Sequence, residues 1–306
     1  MIKITKTIKI SIRQEEWIKS KKINFSEWVR QKLDAEIDQQ LKLGNKDRFK
    51  AVILAAGKDT NLFPLTEDIP KALLDVKGKT ILQRQIEMLR MIGINDIAVV
   101  RGYKKDQINF PNLEYFDNDD YENTGILVSL FLARKFMDGD MVVLYGDILF
   151  EIGILKRLIE TRYNTTLVVD RGWKRRYQVS HEEHPSAPEL TTLSDKEREI
   201  EISSVGVGLP ETNSTSEFIG LAKLSTSACS VLKDLYEKVY CVNKDKKFYQ
   251  TEHIRNASFV DFIQELINRG EKVSALEIWR KWIDVDTFED YRNAWKLLDE
   301  ITGSEK

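Results

Sequence analysis

Beyond residue 48 the chain alternates two patterns. Short unbroken apolar runs, which suit strands buried on both faces, are followed by segments whose apolar residues recur at helical spacing. Ala51-Val52-Ile53-Leu54 is the first such run, and 97–100, 113–116, 141–145 and 166–169 read the same way. Between them, 80–92 carries Ile81, Leu82, Ile86 and Leu89 on one helical face, and 127–136 and 152–160 are also helical. This alternation predicts an α/β domain with a Rossmann-like mixed, mostly parallel sheet flanked by helices. The second half is richer in strands, with extended segments at 199–205, 218–224 and 273–278. Further helices are predicted over 226–240, 259–269 and 288–300.

Ahead of residue 48 the pattern is different. Ile8, Ile10 and Ile12 alternate with Thr7, Lys9, Ser11 and Arg13, the period of a strand. A short helix around 15–21 follows, then a longer one capped by Asn24 or Ser26 with Val29, Leu33, Ile37 and Leu41 as its stripe. Gly44 and the polar residues after it read as a helix stop and a linker. The chain thus divides into a small strand–helix–helix module over 1–46 and an α/β domain over 49–306.

Composition narrows the class. The 306 residues are 42% apolar and 31% charged, enough for a sizeable core and too apolar for a disordered chain. Lys and Arg total 47 against 49 Asp and Glu, a net charge of −2. That excludes bulk attraction to nucleic acid or an anionic membrane, although a local basic patch is compatible with it. No apolar run approaches the roughly 18 residues of a membrane helix. Cys229 and Cys241 form neither a metal-binding pair nor a disulfide framework, which fits a reducing cytoplasm.

Candidate chemistry gathers at predicted strand ends. Leu54-Ala55-Ala56-Gly57-Lys58 leaves a strand for a small glycine-bearing loop, whose backbone N–H groups suit phosphate oxygens. A plain strand-to-helix turn is the alternative reading of this stretch taken alone. Pro70-Lys71 and Gly78-Lys79-Thr80 follow before the 80–92 helix. Leu144-Tyr145-Gly146-Asp147 closes another strand, the end at which open α/β sheets bind ligands. In Trp282-Ile283-Asp284-Val285-Asp286-Thr287 two carboxylates alternate on one predicted strand, and with Asp147 they offer the hard oxygen ligands that Mg²⁺ takes.

In combination, 49–298 resembles the nucleotidyltransferases with a glycosyltransferase-A-like fold. Those carry an LAAGxGxR loop, a downstream Pro-Lys pair, a GKP-type turn and a W-x-[DE]-[IV]-D-T run. The resemblance implies nucleotide contacts from Leu54, Ala55, Ala56, Gly57 and Lys58, and a catalytic Lys71 set against the phosphate under attack. It also implies Asp147, Asp284 and Asp286 as ligands of Mg²⁺, with Mn²⁺ as a substitute. Two positions depart from the pattern: Asp59 replaces the loop's second glycine and Asn61 its arginine. Losing one cation and gaining an acid is expected to weaken triphosphate binding unless Lys58 or the metal compensates.

A narrower set comprises Arg101-Gly102-Tyr103, Asn123-Thr124-Gly125 with Ser129, Asp170-Arg171-Gly172-Trp173, Tyr177, Glu189 and Glu217-Phe218-Ile219-Gly220. It is similar to the cytidylyltransferase domains of phosphonate biosynthesis, such as those acting on 2-aminoethylphosphonate. That similarity implies Arg101, Gly102, Asn123 and Ser129 near the cytidine of CTP, and Asp170, Trp173, Tyr177 and Glu189 around the acceptor. The acceptor would be a small phosphonate (2-aminoethylphosphonate or 2-hydroxyethylphosphonate) or a phospho-alcohol such as phosphocholine. Residues 5–40 resemble a ribbon-helix-helix unit, which implies a homodimer and leaves DNA binding open. The competing reading is a DNA-binding regulator with a ligand-sensing transferase-like domain.

Overall fold

The structure, a computed structural model, describes residues 11–21, 25, 28–29, 49–179, 187–196, 199–243 and 247–303. The chain divides into two units, Met1–Lys46 and Asp47–Lys306. In the first, helix α1 spans Ile12–Ser20. Ser11 Oγ accepts the Gln14 N–H at 3.4 Å, and the Gln14 side chain accepts the Ser11 N–H at 2.8 Å. This reciprocal capping box starts the helix at Ile12, so Ile12 and Arg13 are helical where the alternation predicts a strand. Residues 1–10, the cap candidates at 24 and 26, and the stripe residues at 33, 37 and 41 lie outside the described residues.

The second unit begins with β1 (Phe49–Ala55), the short pair β2 (Asp75–Val76) and β3 (Lys79–Thr80), α2 (Ile81–Met91), β4 (Asp96–Arg101) and β5 (Glu114–Asp117). It continues with α3 (Ile126–Leu132), β6 (Asp140–Tyr145), β7 (Ile148–Phe150), α4 (Ile152–Ile159), β8 (Thr165–Asp170) and α5 (Trp173–Val179). Then come β9 (Glu189–Lys196), β10 (Glu199–Val207), β11 (Ser216–Leu224), α6 (Thr226–Asn243) and α7 (Phe259–Asn268). Strands β12 (Ser274–Ile278) and β13 (Trp282–Asp284) and helix α8 (Phe288–Gly303) complete it. The central sheet has the order β5-β4-β1-β6-β11-β8-β12-β10-β9. Strands β5, β4, β1 and β6 run parallel; β11 is antiparallel to both β6 and β8, which makes the sheet mixed.

Strand β1 shows why its sequence has no polar alternation. Ala51, Ile53 and Ala55 join a core with α2 and α4, while Val52 and Leu54 join another with α3, α6 and α7. Both faces are covered, so every residue is apolar except Lys50. Elements missing from the periodicity reading are short or polar. The pair β2–β3 and strand β7 are two or three residues long, and β9 is a largely polar strand paired with β10 and with the start of β11.

One glycine is required by both conformation and space. Gly220, within β11, has φ +78°, and a Cβ there would lie 2.7 Å from the Tyr145 ring. Gly220→Ala therefore combines left-handed strain with overpacking and is expected to cost about 2–4 kcal/mol. Urea unfolding of both proteins measures it, and a variant within about 0.5 kcal/mol of the parent contradicts the packing described.

Candidate active site

The order β4-β1-β6 places the chain's first crossover on one side of β1 and its next parallel strand on the other. The carboxyl ends of β1 and β6 thus border a topological switch point, where open α/β sheets form crevices. A cleft of about 560 Å³ opens there, lined by the loop after β1, the turn after β6, and parts of β9, β11 and β13. A smaller pocket of about 170 Å³ adjoins it, lined by Gly57, Tyr121, Thr124, Gly125 and Ser129 among others.

At the cleft floor stands a charge cluster. The Lys71 ammonium lies 3.1 Å from Asp59 and 3.0 Å from Asp147, and it donates a short hydrogen bond to Asp286. Its side chain is only 12% exposed. Burial pulls the Lys71 pKa down, but Asp147, Asp286 and Asp59 outweigh it and hold the ammonium well above its ordinary value.

Each partner is fixed by its own local structure. Lys71 opens a short 3-10 turn behind Pro70, with the Leu74 N–H closing onto the Lys71 carbonyl at 3.0 Å. Asp147 follows Gly146, whose N–H bonds the Leu54 carbonyl at 2.8 Å; a Cβ at 146 would sit 2.8 Å from that oxygen. Gln85 of α2 donates from one amide nitrogen to the Tyr145 and Ile148 carbonyls, each at 2.8 Å, clamping the turn from below. Asp286 lies just past β13 rather than within it, and its N–H bonds Asp290 at 3.3 Å. Thr287 and Asp290 bond reciprocally, a capping box at the start of α8. Gln85 and Asp290 are positioning residues that the sequence reading missed. The Thr-x-x-Asp spacing was a usable signal for the second; nothing local marks the first.

Asp147, Asp284 and Asp286 all line the cleft. Among the described residues, no three His, Cys, Asp or Glu side chains come together in an arrangement able to hold a metal by themselves. Lys71 instead occupies the point on which Asp59, Asp147 and Asp286 converge. The donor set still suits a hard cation whose remaining ligands are phosphate oxygens. Its members are all carboxylates, and Asp147 Oδ1 is buried without a hydrogen-bond partner.

The implied nucleotide contacts are partly gathered. Leu54, Ala55, Gly57 and Lys58 line the main cleft, and Ala56 and Ser129 the smaller pocket. Lys58 reaches Glu122 at 3.7 Å, and Ser129 Oγ accepts from the Asn118 amide at 3.0 Å. Gly102 backs the loop, its carbonyl accepting the Lys105 N–H at 3.1 Å. Arg101 turns elsewhere, donating to Asp117 at 2.7 Å and to the Ile108 carbonyl at 2.9 Å. Asn123 is exposed and donates to Asp120 at 2.7 Å. Neither Arg101 nor Asn123 lines either cavity.

The implied acceptor residues divide similarly. Tyr177 and Glu189 line the cleft. Tyr177 donates to Glu217 at 2.6 Å, and Tyr145 donates to Glu189 at 3.1 Å. Trp173 is buried behind Tyr177, edge-to-face at 6.0 Å. Asp170 is spent on the fold: it accepts the N–H groups of Gly172 at 2.8 Å and Arg280 at 3.0 Å and the Trp282 indole at 2.9 Å. It borders a separate cleft of about 320 Å³ instead. Burial raises Glu189 to about 8; the Tyr145 hydrogen bond opposes this, and the charges of Asp261, Glu217 and Asp147 add to it.

Comparison with known proteins adds a second line. The family model of the MobA-like NTP transferase domain matches residues 51–204. CTP:phosphoglutamine cytidylyltransferase of Campylobacter jejuni is 30% identical over 251 residues, 78% of this chain and 96% of that protein. Choline-phosphate cytidylyltransferase of Streptococcus pneumoniae is 39% identical over 106 residues, 33% of this chain and 46% of that protein. In fold, the solved CTP:phosphocholine cytidylyltransferase from Streptococcus pneumoniae matches with a TM-score of 0.63 at 22% identity, covering 82% of this chain and 99% of that one. The inositol-1-phosphate CTP transferase from T. maritima matches with a TM-score of 0.62 at 19% identity, over 83% and 96%.

The raised Glu189 has a consequence for stability. An unfolded Glu loses its proton near 4.5 and the folded one near 8, so between those values the unfolded chain binds fewer protons. Stability therefore falls as pH rises through that window and levels above it. Glu189→Gln removes the effect, so its stability gain over the parent is expected to widen from pH 4.5 to 8 and then stay constant. Thermal unfolding across pH tests this; a difference that does not change with pH contradicts it.

Proposed function

This chain belongs to the family of MobA-like NTP transferases, and from that footing we propose that it transfers CMP from CTP to a small phosphonate, with release of pyrophosphate. The reading rests above all on the buried Lys71 ammonium at the carboxyl ends of β1 and β6, beside a cleft roomy enough for a nucleotide. An oxygen of the acceptor attacks the α-phosphorus of CTP, and the bond from that phosphorus to the pyrophosphate oxygen breaks. Lys71 stabilises the negative charge that grows on the phosphoryl oxygens. Asp147, Asp284 and Asp286 would hold a divalent cation, which supplies Lewis-acid charge neutralisation when bound. The smaller pocket at Gly57, Gly125 and Ser129 suits the cytosine end.

The opposite wall sets the acceptor class. Glu189 and Glu217 stand there with Tyr145 and Tyr177. Glu217 offers a carboxylate, and Glu189, held protonated near neutral pH because burial raises it to about 8, would ionise when a cation enters beside it. With the phenol rings this favours an acceptor bearing an ammonium, which 2-aminoethylphosphonate combines with a nucleophilic phosphonate oxygen. 2-Hydroxyethylphosphonate brings no cation to this wall. The relatives' names, phosphoglutamine and choline-phosphate cytidylyltransferase, support CTP as donor and a small phosphorylated acceptor.

Pyrophosphate release from CTP and Mg²⁺ across an acceptor panel tests this. The ammonium-bearing 2-aminoethylphosphonate is expected to exceed 2-hydroxyethylphosphonate and inositol-1-phosphate by about tenfold or more in kcat/KM, the worth of one charge-assisted pair. Equal use of acceptors without an ammonium overturns the acceptor assignment, and no release with any acceptor overturns the reaction. Lys71→Ala is expected to lower kcat by about 10²-fold or more when assayed below its melting temperature, which is itself expected to fall because Asp59, Asp147 and Asp286 lose their shared cation. Near-parental turnover removes Lys71 from the chemistry.

A further inference from the structure

Lys71 has three ammonium hydrogens and three carboxylates around it, and the three are not equivalent. Asp147 and Asp286 belong to the set that would hold a divalent cation, so their negative charge is shared with that cation whenever it is bound. Asp59 is not among the carboxylates that the resemblance assigns to that cation, and each of its oxygens is already taken by a group of the chain. Its carboxylate is tied into the loop: one oxygen accepts the Asn61 N–H at 2.7 Å while the other meets Lys71 at 3.1 Å. Its carbonyl accepts the hydroxyl of Thr66, a fully buried residue, at 2.8 Å. The Asp59 side chain is only 10% exposed. Side chain and backbone are thus both fixed, whereas Asp147 has one oxygen with no hydrogen-bond partner.

We propose that Asp59 is the positioning residue of the active-site lysine: it holds the Lys71 ammonium in place when Asp147 and Asp286 turn to the divalent cation. Lys71 carries its charge on a flexible four-carbon stem, and a transition-state donor must be held before the charge appears. A fixed carboxylate on the nucleotide loop supplies that hold and couples the lysine to the loop itself. The cost is one more negative charge beside the triphosphate. Removing Asp59 is therefore expected to separate the two kinetic constants, lowering kcat without weakening CTP. This inference rests on the cleft being the CTP site.

Two variants separate the ion pair from the shape of the loop. Asp59→Asn keeps an oxygen for the Asn61 N–H and loses the charge; Asp59→Ala loses both. Both are expected to lower kcat by about 10-fold to 100-fold with the KM for CTP unchanged or lower. A second readout does not depend on turnover: the ¹H–¹⁵N correlation of lysine ammonium groups in the full chain, without ligand and then with Mg²⁺ and CTP. A Lys71 signal that persists in the parent under both conditions and broadens away in Asp59→Asn supports the proposal. A Lys71 signal absent from the parent, or unchanged in Asp59→Asn, overturns it. So does an Asp59→Asn enzyme with parental kcat, which would leave Asp59 a loop residue alone. If the parent does not turn over CTP, the nucleotide reading fails, and the ammonium signal still decides whether Asp59 holds Lys71.

Discussion

The second unit of this protein is organised around one buried ammonium and the carboxylates that surround it. A buried charge is costly unless paired and hydrogen-bonded, so the fold must bring its partners to one point. They come from the loop after β1, the turn after β6 and the segment after β13, and Lys71 and Asp286 are 215 positions apart. The parallel register of β1 on β6, with Leu54 opposite Tyr145, sets the first two side by side. The antiparallel pair β7–β13, with Asp284 opposite Ile148, brings up the third. A slip of one residue in either pairing would turn the carboxylates away and leave Lys71 uncompensated.

That constraint explains several residues around the cleft. Gln85 uses a single amide nitrogen to hold both carbonyls flanking the Asp147 turn. Asp290 secures Asp286 and Thr287 while capping α8. Gly220 lets β11 pass against the Tyr145 ring, and Tyr145 in turn holds Glu189. The cleft acquires a polarity from this arrangement. Its cations, Lys58 and Lys71, sit toward the β1 loop, and Glu189 and Glu217 sit on the wall formed by β9 and β11. In the proposed reaction the first end would take the triphosphate and the second the acceptor's ammonium.

How legible this was in the sequence depends on range. The strand and helix runs of the α/β unit were readable because burial on both faces leaves no polar alternation, as in β1. Asp147 was readable at the end of an apolar strand and Asp286 on an alternating one, whereas Lys71 entered through the resemblance carried by Pro70-Lys71; the three do meet. Asp59 read as a liability, because a sequence shows its charge and not the Asn61 N–H and Lys71 ammonium that receive it. Asp170 read as an acceptor contact, yet its oxygens are taken by N–H groups at 172, 280 and 282, two of them about 110 positions away. Asn123 likewise spends its side chain on Asp120, while Arg101, whose implied contribution is its backbone, sends its side chain to Asp117. Gln85 carries no local signal, since its partners are the carbonyls of Tyr145 and Ile148 on β6 and β7.

In the proposed reaction, cleft carboxylates and phosphates compete for too few cations, and a divalent metal would restore the balance. CTP affinity, measured by calorimetry at fixed ionic strength with and without Mg²⁺, tests it most directly. The expected result is a dissociation constant that falls by about tenfold or more on adding Mg²⁺, because four negative charges otherwise meet the acidic cluster with little compensation. An affinity for CTP that is the same with and without Mg²⁺ would contradict it.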